Sequence, residues 1–256
     1  MKNYFDLSGR VALVTGASSG LGVQFARALA GQGASLALVA RRKDRLDALA
    51  AELRELGVEA EAFTCNIVKP EEIAETVKAV HARFGRIDIL VNNAGRSMDV
   101  PAEDITDKQW KIMMDLNLNG PFILSREVGR IMIAQHYGRI VNIGSVHSLI
   151  PSKGMYSVAA YCATKGGLLT LTKALAVEWA KHNINVNAIG PAYFETEMTE
   201  ADFHDEKFIN FVKANTALER TGLPGELDAA LLYFASDACS YTTGQILYVD
   251  GGWTVL

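Results

Sequence analysis

Apolar residues fall along this chain in two alternating rhythms. Short, β-branched runs read as buried strands: Arg10–Val14, Ser35–Ala40, Glu59–Thr64, Ile87–Asn92, Gly138–Ile143, Asn183–Ile189 and Gln245–Val249. Longer segments between them carry helical spacing. Lys43–Leu56 lines up Leu46, Leu49, Leu53 and Leu56 on one face, and Glu71–Phe84 does the same with Ile73, Val77 and Val80. Further helices fit Asp107–Leu116, Pro121–Gln135, Ala160–His182, Glu206–Ala214 and Glu226–Ser236, and one follows the glycine-rich turn after the first strand. Strands alternating with helices imply βαβ crossovers and a mostly parallel, doubly wound sheet covered by helices on both faces. The expected class is therefore α/β, Rossmann-type. No linker, repeat or low-complexity stretch divides residues 1–256, so a single domain is expected. The one long irregular region begins at Pro191. A substrate loop at about 191–215 is expected, with Tyr193 to about Phe211 acting as a lid, because such loops in compact domains are usually functional.

Composition narrows the class. The chain is 49% apolar and 21% charged, which excludes a disordered class. With 25 basic against 29 acidic residues and no basic run, nothing points to nucleic acid or an anionic membrane. No apolar stretch is long enough to span a bilayer, and the first apolar run, Val11 to Val14, ends in glycine as a strand would. A cytoplasmic protein is expected. Cys65, Cys162 and Cys239 lie far apart without metal-ligand spacing, so they read as free thiols and no metal site is expected.

Chemistry enters at the first strand–helix turn, Thr15-Gly16-Ala17-Ser18-Ser19-Gly20-Leu21-Gly22. Glycines allow a tight turn and close backbone approach to a pyrophosphate, which the following helix N-terminus favours. Tyr161 and Lys165 stand four residues apart, which places them on one face of a helix. A free phenol is too weak an acid to serve as a base near neutrality, and a nearby ammonium is expected to lower its pKa.

Together with Asn92-Asn93-Ala94-Gly95, Asn117, Ser145, the Pro191–Thr196 segment and Val249-Asp250-Gly251-Gly252, these motifs resemble the short-chain dehydrogenase/reductase family over nearly the full length. The stretch from His182 to Thr199 looks like the family's gluconate 5-dehydrogenase branch, although Ala192 replaces a glycine common there. The resemblance implies an oxidoreductase moving a hydride between a nicotinamide and a carbonyl or secondary alcohol. A sugar acid or polyol is the first expectation. A 3-oxoacyl thioester or steroid-type ketone is the alternative, and a catalytically silent binding module is a third reading.

It also implies roles. Tyr161 would be the acid/base, Lys165 its partner and a ribose ligand, Ser145 the hydrogen-bond donor to the substrate oxygen, and Asn117 the support of a water-linked proton path. Gly16, Ser18, Ser19, Gly20, Leu21 and Gly22 would hold the cofactor phosphates. Asn66, Ile67, Asn93, Ala94 and Gly95 would flank the adenosine side, with Asn93 open to a structural role. Pro191 and Thr196 would meet the nicotinamide. Asn66 stands where relatives often carry an aspartate, and the interval from Ser145 to Tyr161 is longer than usual.

After the second strand, Ala40 occupies the position of the usual ribose-binding acid, and Arg41 and Arg42 follow. Guanidinium suits a 2′-phosphate, so NADP(H) is expected over NAD(H), carried mainly by Arg41; the other reading makes both arginines solvated charges. Arg96, His147 and Tyr193 are candidate substrate contacts, with Met155 and Phe194 as further wall residues. Arg96 reads equally as a carboxylate ligand or an exposed charge, and His147 as a ligand contact or a packed ring. The family habit implies a homo-oligomer, dimer or tetramer, joined through Pro121–Gln135, Ala160–His182 and Gln245–Val249.

Overall fold

The computed structural model describes residues 3–197 and 199–256. Seven strands form one parallel sheet: β1 (Val11–Thr15), β2 (Ser35–Ala40), β3 (Ala60–Thr64), β4 (Ile89–Asn92), β5 (Gly138–Ile143), β6 (Ile184–Pro191) and β7 (Ile246–Val249). Their spatial order is β3-β2-β1-β4-β5-β6-β7. The chain reverses its direction of winding at β1, which pairs with both β2 and β4. In open parallel sheets the crevice beyond the strand ends at such a reversal is where ligands bind.

Every residue of β1, β4, β5 and β6 is buried, as a sheet sandwiched between helices demands. On one face lie α1 (Gly20–Gly31), α2 (Lys43–Arg54) and α9 (Asp228–Ala235), which contribute Phe25, Leu29, Leu46, Leu53 and Phe234 to the core. On the other lie α3 (Pro70–Phe84), α5 (Gly120–Gln135) and α6 (Ala159–Trp179), with Ile73, Val77, Leu124, Met132 and Leu175.

Two expectations need correction. The helices expected at Asp107–Leu116 and Pro121–Gln135 are one continuous rod. A π-helical turn, Asp115–Asn119, joins α4 (Asp107–Met114) to α5. Pro121 has no N–H, so it cannot donate the α-type bond to the Asn117 carbonyl four residues back, and the helix widens just before it. The stretch from Pro191 to Asp205 is also less irregular than expected. β6 runs to Pro191, and a short helix, α7 (Glu200–Phe203), precedes α8 (Glu206–Asn215).

The opposite ends of the central strands, where β1, β4 and β5 begin, are pinned by charge. Asp88 is fully buried and accepts from the Val11 N–H at 2.9 Å, from Arg86 at 2.6 and 2.7 Å, and from Arg10 at 3.3 Å. Tyr137 lies between the guanidinium groups of Arg10 and Arg139, 3.8 and 4.5 Å from its ring centre. Arg139 is itself buried and reaches Asp237 at 3.0 Å. Removing the Asp88 carboxylate strands a buried backbone donor, at about 1–3 kcal/mol before the arginine contacts are counted. Asp88→Ala is therefore expected to lose at least that much in urea unfolding, and a change below ~0.5 kcal/mol would contradict this role.

Candidate active site

The turn between β1 and α1 is shaped by close packing. Gly16 holds φ +69°, a left-handed conformation that other residues adopt at a cost. A side chain at Gly22 would place its first carbon 2.2 Å from the Gly16 carbonyl oxygen, so α1 rests directly on the turn. Gly22 is thus buried behind the turn rather than on the cleft wall, and it serves helix–strand packing instead of direct contact with a ligand. Ser19 precedes α1 without a side-chain cap, and the first turn carries no acid, so its N–H groups are open to an anion.

Thr15 ties this turn to β4. Its hydroxyl donates to the Val91 carbonyl at 3.1 Å and accepts from the N–H groups of Asn93 and Ala94 at 3.0 and 3.1 Å. Asn93 returns its side-chain amide to the Thr15 carbonyl at 2.9 Å. That amide is committed to bracing the turn, which is the structural alternative left open for Asn93.

The two arginines after β2 separate in role. Arg42 donates to the hydroxyls of Ser18 and Ser19 at 3.2 and 2.7 Å and to the Glu197 carboxylate at 2.9 Å. Arg45 meets the same carboxylate at 3.0 Å, and the two guanidinium groups hold Glu197 down at about 2, with the Arg42 bond the largest cause. Arg41 is exposed on the cleft rim and makes no ion pair or side-chain hydrogen bond among the described residues. Asn66 spends its side-chain oxygen on the Val68 N–H at 3.4 Å and its own N–H on Glu72 at 2.8 Å.

The reacting groups converge from three elements. Lys165, buried on α6, donates to the Ile143 carbonyl at 2.7 Å, where β5 ends. Two residues on, Ser145 opens a 3-10 turn (Val146–Ser148) and accepts from the His147 N–H at 3.1 Å, while Ser148 accepts from the Ser145 N–H at 3.2 Å. Ser148 is thereby a brace for Ser145. The Ser145 hydroxyl also lies close to the Tyr161 phenol and pulls its pKa down. Lys165 Nζ stands 5.6 Å from the Tyr161 ring centre. Asn117 lies in the π-helical turn. Its side-chain oxygen accepts from the Arg96 N–H at 3.0 Å, and its amide donates to the Arg96 carbonyl at 2.9 Å and to Thr164 at 3.2 Å. Gly95 separates Asn117 from Lys165: a side chain there would meet the Asn117 oxygen at 3.2 Å and Nζ at 3.7 Å.

Burial sets the electrostatics. Desolvation pushes the Tyr161 phenol up to about 12, against the pull of the Ser145 hydroxyl, and pushes Lys165 down to about 8. The net shift of the phenol is thus upward, against the lowering expected from the sequence. Lys165 is directed at Ile143, and desolvation outweighs any attraction at that distance.

A cleft of about 870 Å³ joins these parts. It runs from Arg41, Arg42, Asn66 and Ile67 past Gly16, Ser18, Ser19, Gly20, Leu21, Ala94 and Gly95 to Ser145, Tyr161 and Lys165. Pro191 and Thr196 form its opposite wall. Thr196 packs on Gly20, where an added carbon would sit 3.1 Å from its Cβ. His147 is a packed ring at the cleft wall. Its Nδ1 faces the Ile150 carbonyl at 3.0 Å, which requires the proton on that nitrogen, and burial lowers its pKa. It meets Tyr161 and Tyr193 edge-on at 6.1 and 6.4 Å. Arg96 reaches the rim, exposed, with its backbone held by Asn117. Phe194 lines the cleft and packs its ring into the core against Gly222, and Met155 does not line the cleft.

The short-chain dehydrogenase family model matches residues 10–207, with the glycine turn and the serine, tyrosine and lysine all inside that span. The chain belongs to the short-chain dehydrogenase family. This short-chain dehydrogenase is 39% identical to the gluconate 5-dehydrogenase of Gluconobacter oxydans (strain 621H), covering 98% of this chain and 97% of that one. It is 39% identical to the galactitol 2-dehydrogenase (L-tagatose-forming) of Cereibacter sphaeroides, over 99% and 98% of the two chains. Its fold superposes on the crystal structure of a gluconate 5-dehydrogenase from Burkholderia cenocepacia J2315 in complex with NADP and tartrate, with a TM-score of 0.94, 36% identity and coverage of 99% and 98%.

The dehydrogenase's cleft also contains residues that sequence reasoning passed over. Tyr156 lines the far end with Asp202 of α7. Trp253, behind the cleft wall and directly after the Val249–Gly252 motif, meets Tyr193 edge-on at 5.2 Å. Asp202 could have been suspected as an acid within the segment read as a lid.

The Lys165 shift fixes a pH dependence. Between about 8 and its ordinary 10.5, the unfolded lysine holds a proton that the folded one has released, so stability rises with pH across that window and is lost as pH falls toward 8. Lys165→Met is expected to lack this slope. Parallel urea titrations from pH 7 to 10.5 check it, and identical slopes in both proteins would contradict the burial of the amine.

Proposed function

We propose that this enzyme is an NADP(H)-dependent oxidoreductase interconverting a ketone and a secondary alcohol on a sugar acid or polyol, in the manner of a gluconate 5-dehydrogenase. The convergence of Ser145, Tyr161 and Lys165 at the floor of a cleft whose other end is open to phosphate carries the reading. Relatives named for gluconate, ketogluconate and galactitol chemistry support the substrate class. A relative crystallised with NADP and tartrate supports both cofactor and acid. The cleft fits such a cofactor: the uncapped N-terminus of α1 and the glycine turn suit a pyrophosphate, and Ala40 leaves no acid to repel a 2′-phosphate. Ser18, Ser19, Gly20 and Leu21 would hold the phosphates, Arg41 and Arg42 the 2′-phosphate, Asn66, Ile67, Ala94 and Gly95 the adenosine side, and Thr196 with Pro191 the nicotinamide end.

Bound NADPH supplies the hydride. The chain supplies the proton and the field around it. A phenol held near 12 is protonated throughout the neutral range, so Tyr161 is ready to donate to the substrate oxygen as negative charge develops there. Ser145 keeps a hydroxyl proton to share with the same oxygen. The tyrosinate left behind is favoured by the Lys165 ammonium, and the amine's bond to Ile143 keeps it in place. Asn117 fixes the backbone at Arg96, which positions the loop after β4. Arg96 offers a free guanidinium to a substrate carboxylate, and the segment from Tyr193 to about Phe211, which carries α7 and part of α8, serves as the lid. A cytoplasmic homo-oligomer, a dimer or tetramer, completes the proposal. No helix among the described residues is long and apolar enough to cross a membrane. Phe122 on α5, Val177 on α6 and Leu247 on β7 expose apolar area on the elements expected to pair subunits.

Initial rates of NADPH oxidation against 5-keto-D-gluconate, acetoacetyl thioester and a steroid ketone test the class. The sugar acid is expected to give the highest kcat/KM, and preference for either other ketone would overturn it. Tyr161→Phe keeps the ring but loses the transferable proton, and kcat is expected to fall about 10²–10⁴-fold with NADPH binding retained. Turnover near wild type would remove Tyr161 from its role.

Cofactor choice is expected to rest on Arg41, whose charge is unspent. Arg41→Ala should raise KM for NADPH by about one to two decades and leave NADH nearly unchanged, the worth of a charged hydrogen bond. A wild-type enzyme that uses NADH as well as NADPH would contradict the assignment.

A further inference from the structure

Among the described residues, five buried side-chain oxygens have no hydrogen-bond partner, and three of them gather at or just behind one end of the cleft: Tyr156 OH and Tyr193 OH on its wall, and Ser152 Oγ beside Tyr193. Buried polar groups are nearly always paired, so a cluster of exceptions calls for a reason. Tyr156 and Tyr193 line the cleft directly. Their rings cannot swing the hydroxyls out to water. Tyr193 is locked edge-on between Phe208 and Trp253, both at 5.2 Å, and Tyr156 packs on Phe208 at 6.5 Å. Phe208, on α8, is fully buried. The Asp202 carboxylate lines the same end close beside Tyr156, and Ser152 lies close beside Tyr193, near enough to act on each phenol's proton but not in full hydrogen-bond geometry.

We propose that Tyr156, Tyr193 and Asp202, with Ser152 behind them, form a subsite that reads the hydroxyl groups of the substrate's uncharged tail. This rests on the sugar-acid or polyol reading and says which part of the molecule goes where. The subsite begins one ring from the reacting phenol, since His147 touches both Tyr161 and Tyr193. A ketone seated at Tyr161 therefore places the carbons on one side of its carbonyl beneath the two phenols. Each phenol can donate to or accept from an alcohol, and a carboxylate can accept from two neighbouring hydroxyls at once. The negative charge of Asp202 rejects a substrate carboxylate at this end, which leaves the acid group to the Arg96 side of the cleft. An acyl chain or a steroid ring system would cover the same three groups and pair none of them, so the subsite discriminates by the cost it imposes on the wrong tail.

The test compares Tyr156→Phe, Tyr193→Phe and Asp202→Asn with wild type on 5-keto-D-gluconate, its deoxy analogues and an unhydroxylated ketone, with NADPH affinity measured on each protein as the check of an intact fold. Each variant is expected to raise KM for 5-keto-D-gluconate about five- to tenfold with kcat changed far less, and to shrink the preference for the hydroxylated ketone by the same factor. Wild type alone is expected to lose a similar factor when one tail hydroxyl is removed from the substrate, a measurement that does not depend on any variant folding. Variants that scale all ketones equally, or a wild type indifferent to the deoxy analogues, would overturn the subsite and leave the sugar-acid reading standing. A wild type inert toward every hydroxylated ketone yet active on an acyl thioester would remove the functional reading, and the subsite with it.

Discussion

One buried hydrogen bond organises the chemistry: the Lys165 amine donating to the Ile143 carbonyl at 2.7 Å. A parallel strand ends with carbonyls that no next residue of the ladder satisfies, and here a cation from the neighbouring helix meets one of them. The bond fixes α6 against the end of β5. Since Tyr161 lies one helical turn before Lys165 and Ser145 two residues after Ile143, the same bond sets the distance between the phenol and the serine. A second chain of contacts keeps that register. Asn92 of β4 donates to Asn142 of β5 at 2.8 Å and to Ser125 of α5 at 3.0 Å, and Asn142 donates to Thr172 of α6 at 2.8 Å. The central strands and both long helices are thus joined by amides and hydroxyls beneath the site.

Burial is what makes these groups useful. In water the tyrosine and lysine would differ little in pKa. In the cleft, desolvation drives them apart in opposite directions, to about 12 and about 8. The neutral phenol becomes a held proton, and the ammonium becomes a charge that gains greatly from any anion formed beside it. Two ionisable groups pushed apart by one environment are the usual mark of paired acid–base roles. At the opposite end of the cleft the economy differs. Charge there is exposed, and Arg42 and Arg45 are already occupied by Glu197, whereas Arg41 is not.

The strands, their alternation with helices and the placing of Tyr161 and Lys165 on one helix were legible in the sequence because each follows from local rules. Buried parallel strands need continuous apolar runs, and Tyr161 and Lys165 need helical spacing. What was not legible depends on contacts distant in sequence. The π-helical turn at Asp115–Asn119 had a signal in Pro121, but its consequence, one rod instead of two helices, depends on packing against α6. Gly22 looked like a ligand contact because it belongs to the motif, yet its neighbour is the Gly16 carbonyl. The pKa of Tyr161 was misjudged because spacing reports proximity and not desolvation. Phe194, read as a wall, does line the cleft while also filling the core, and Tyr156 and Asp202 reach the cleft from segments whose local sequence carries no motif.

The central claim is that this cleft passes a hydride to the carbonyl carbon of a sugar acid while the protein passes a proton to its oxygen. It is tested most directly by following the label. NADPH deuterated at C4 of the nicotinamide, on one face and then on the other, is supplied with 5-keto-D-gluconate and enzyme, and the product is read by NMR. The account predicts deuterium on C5 of gluconate from one of the two labelled cofactors and none from the other. Product carrying no deuterium from either cofactor, or NADPH consumed without reduction at C5, would contradict it.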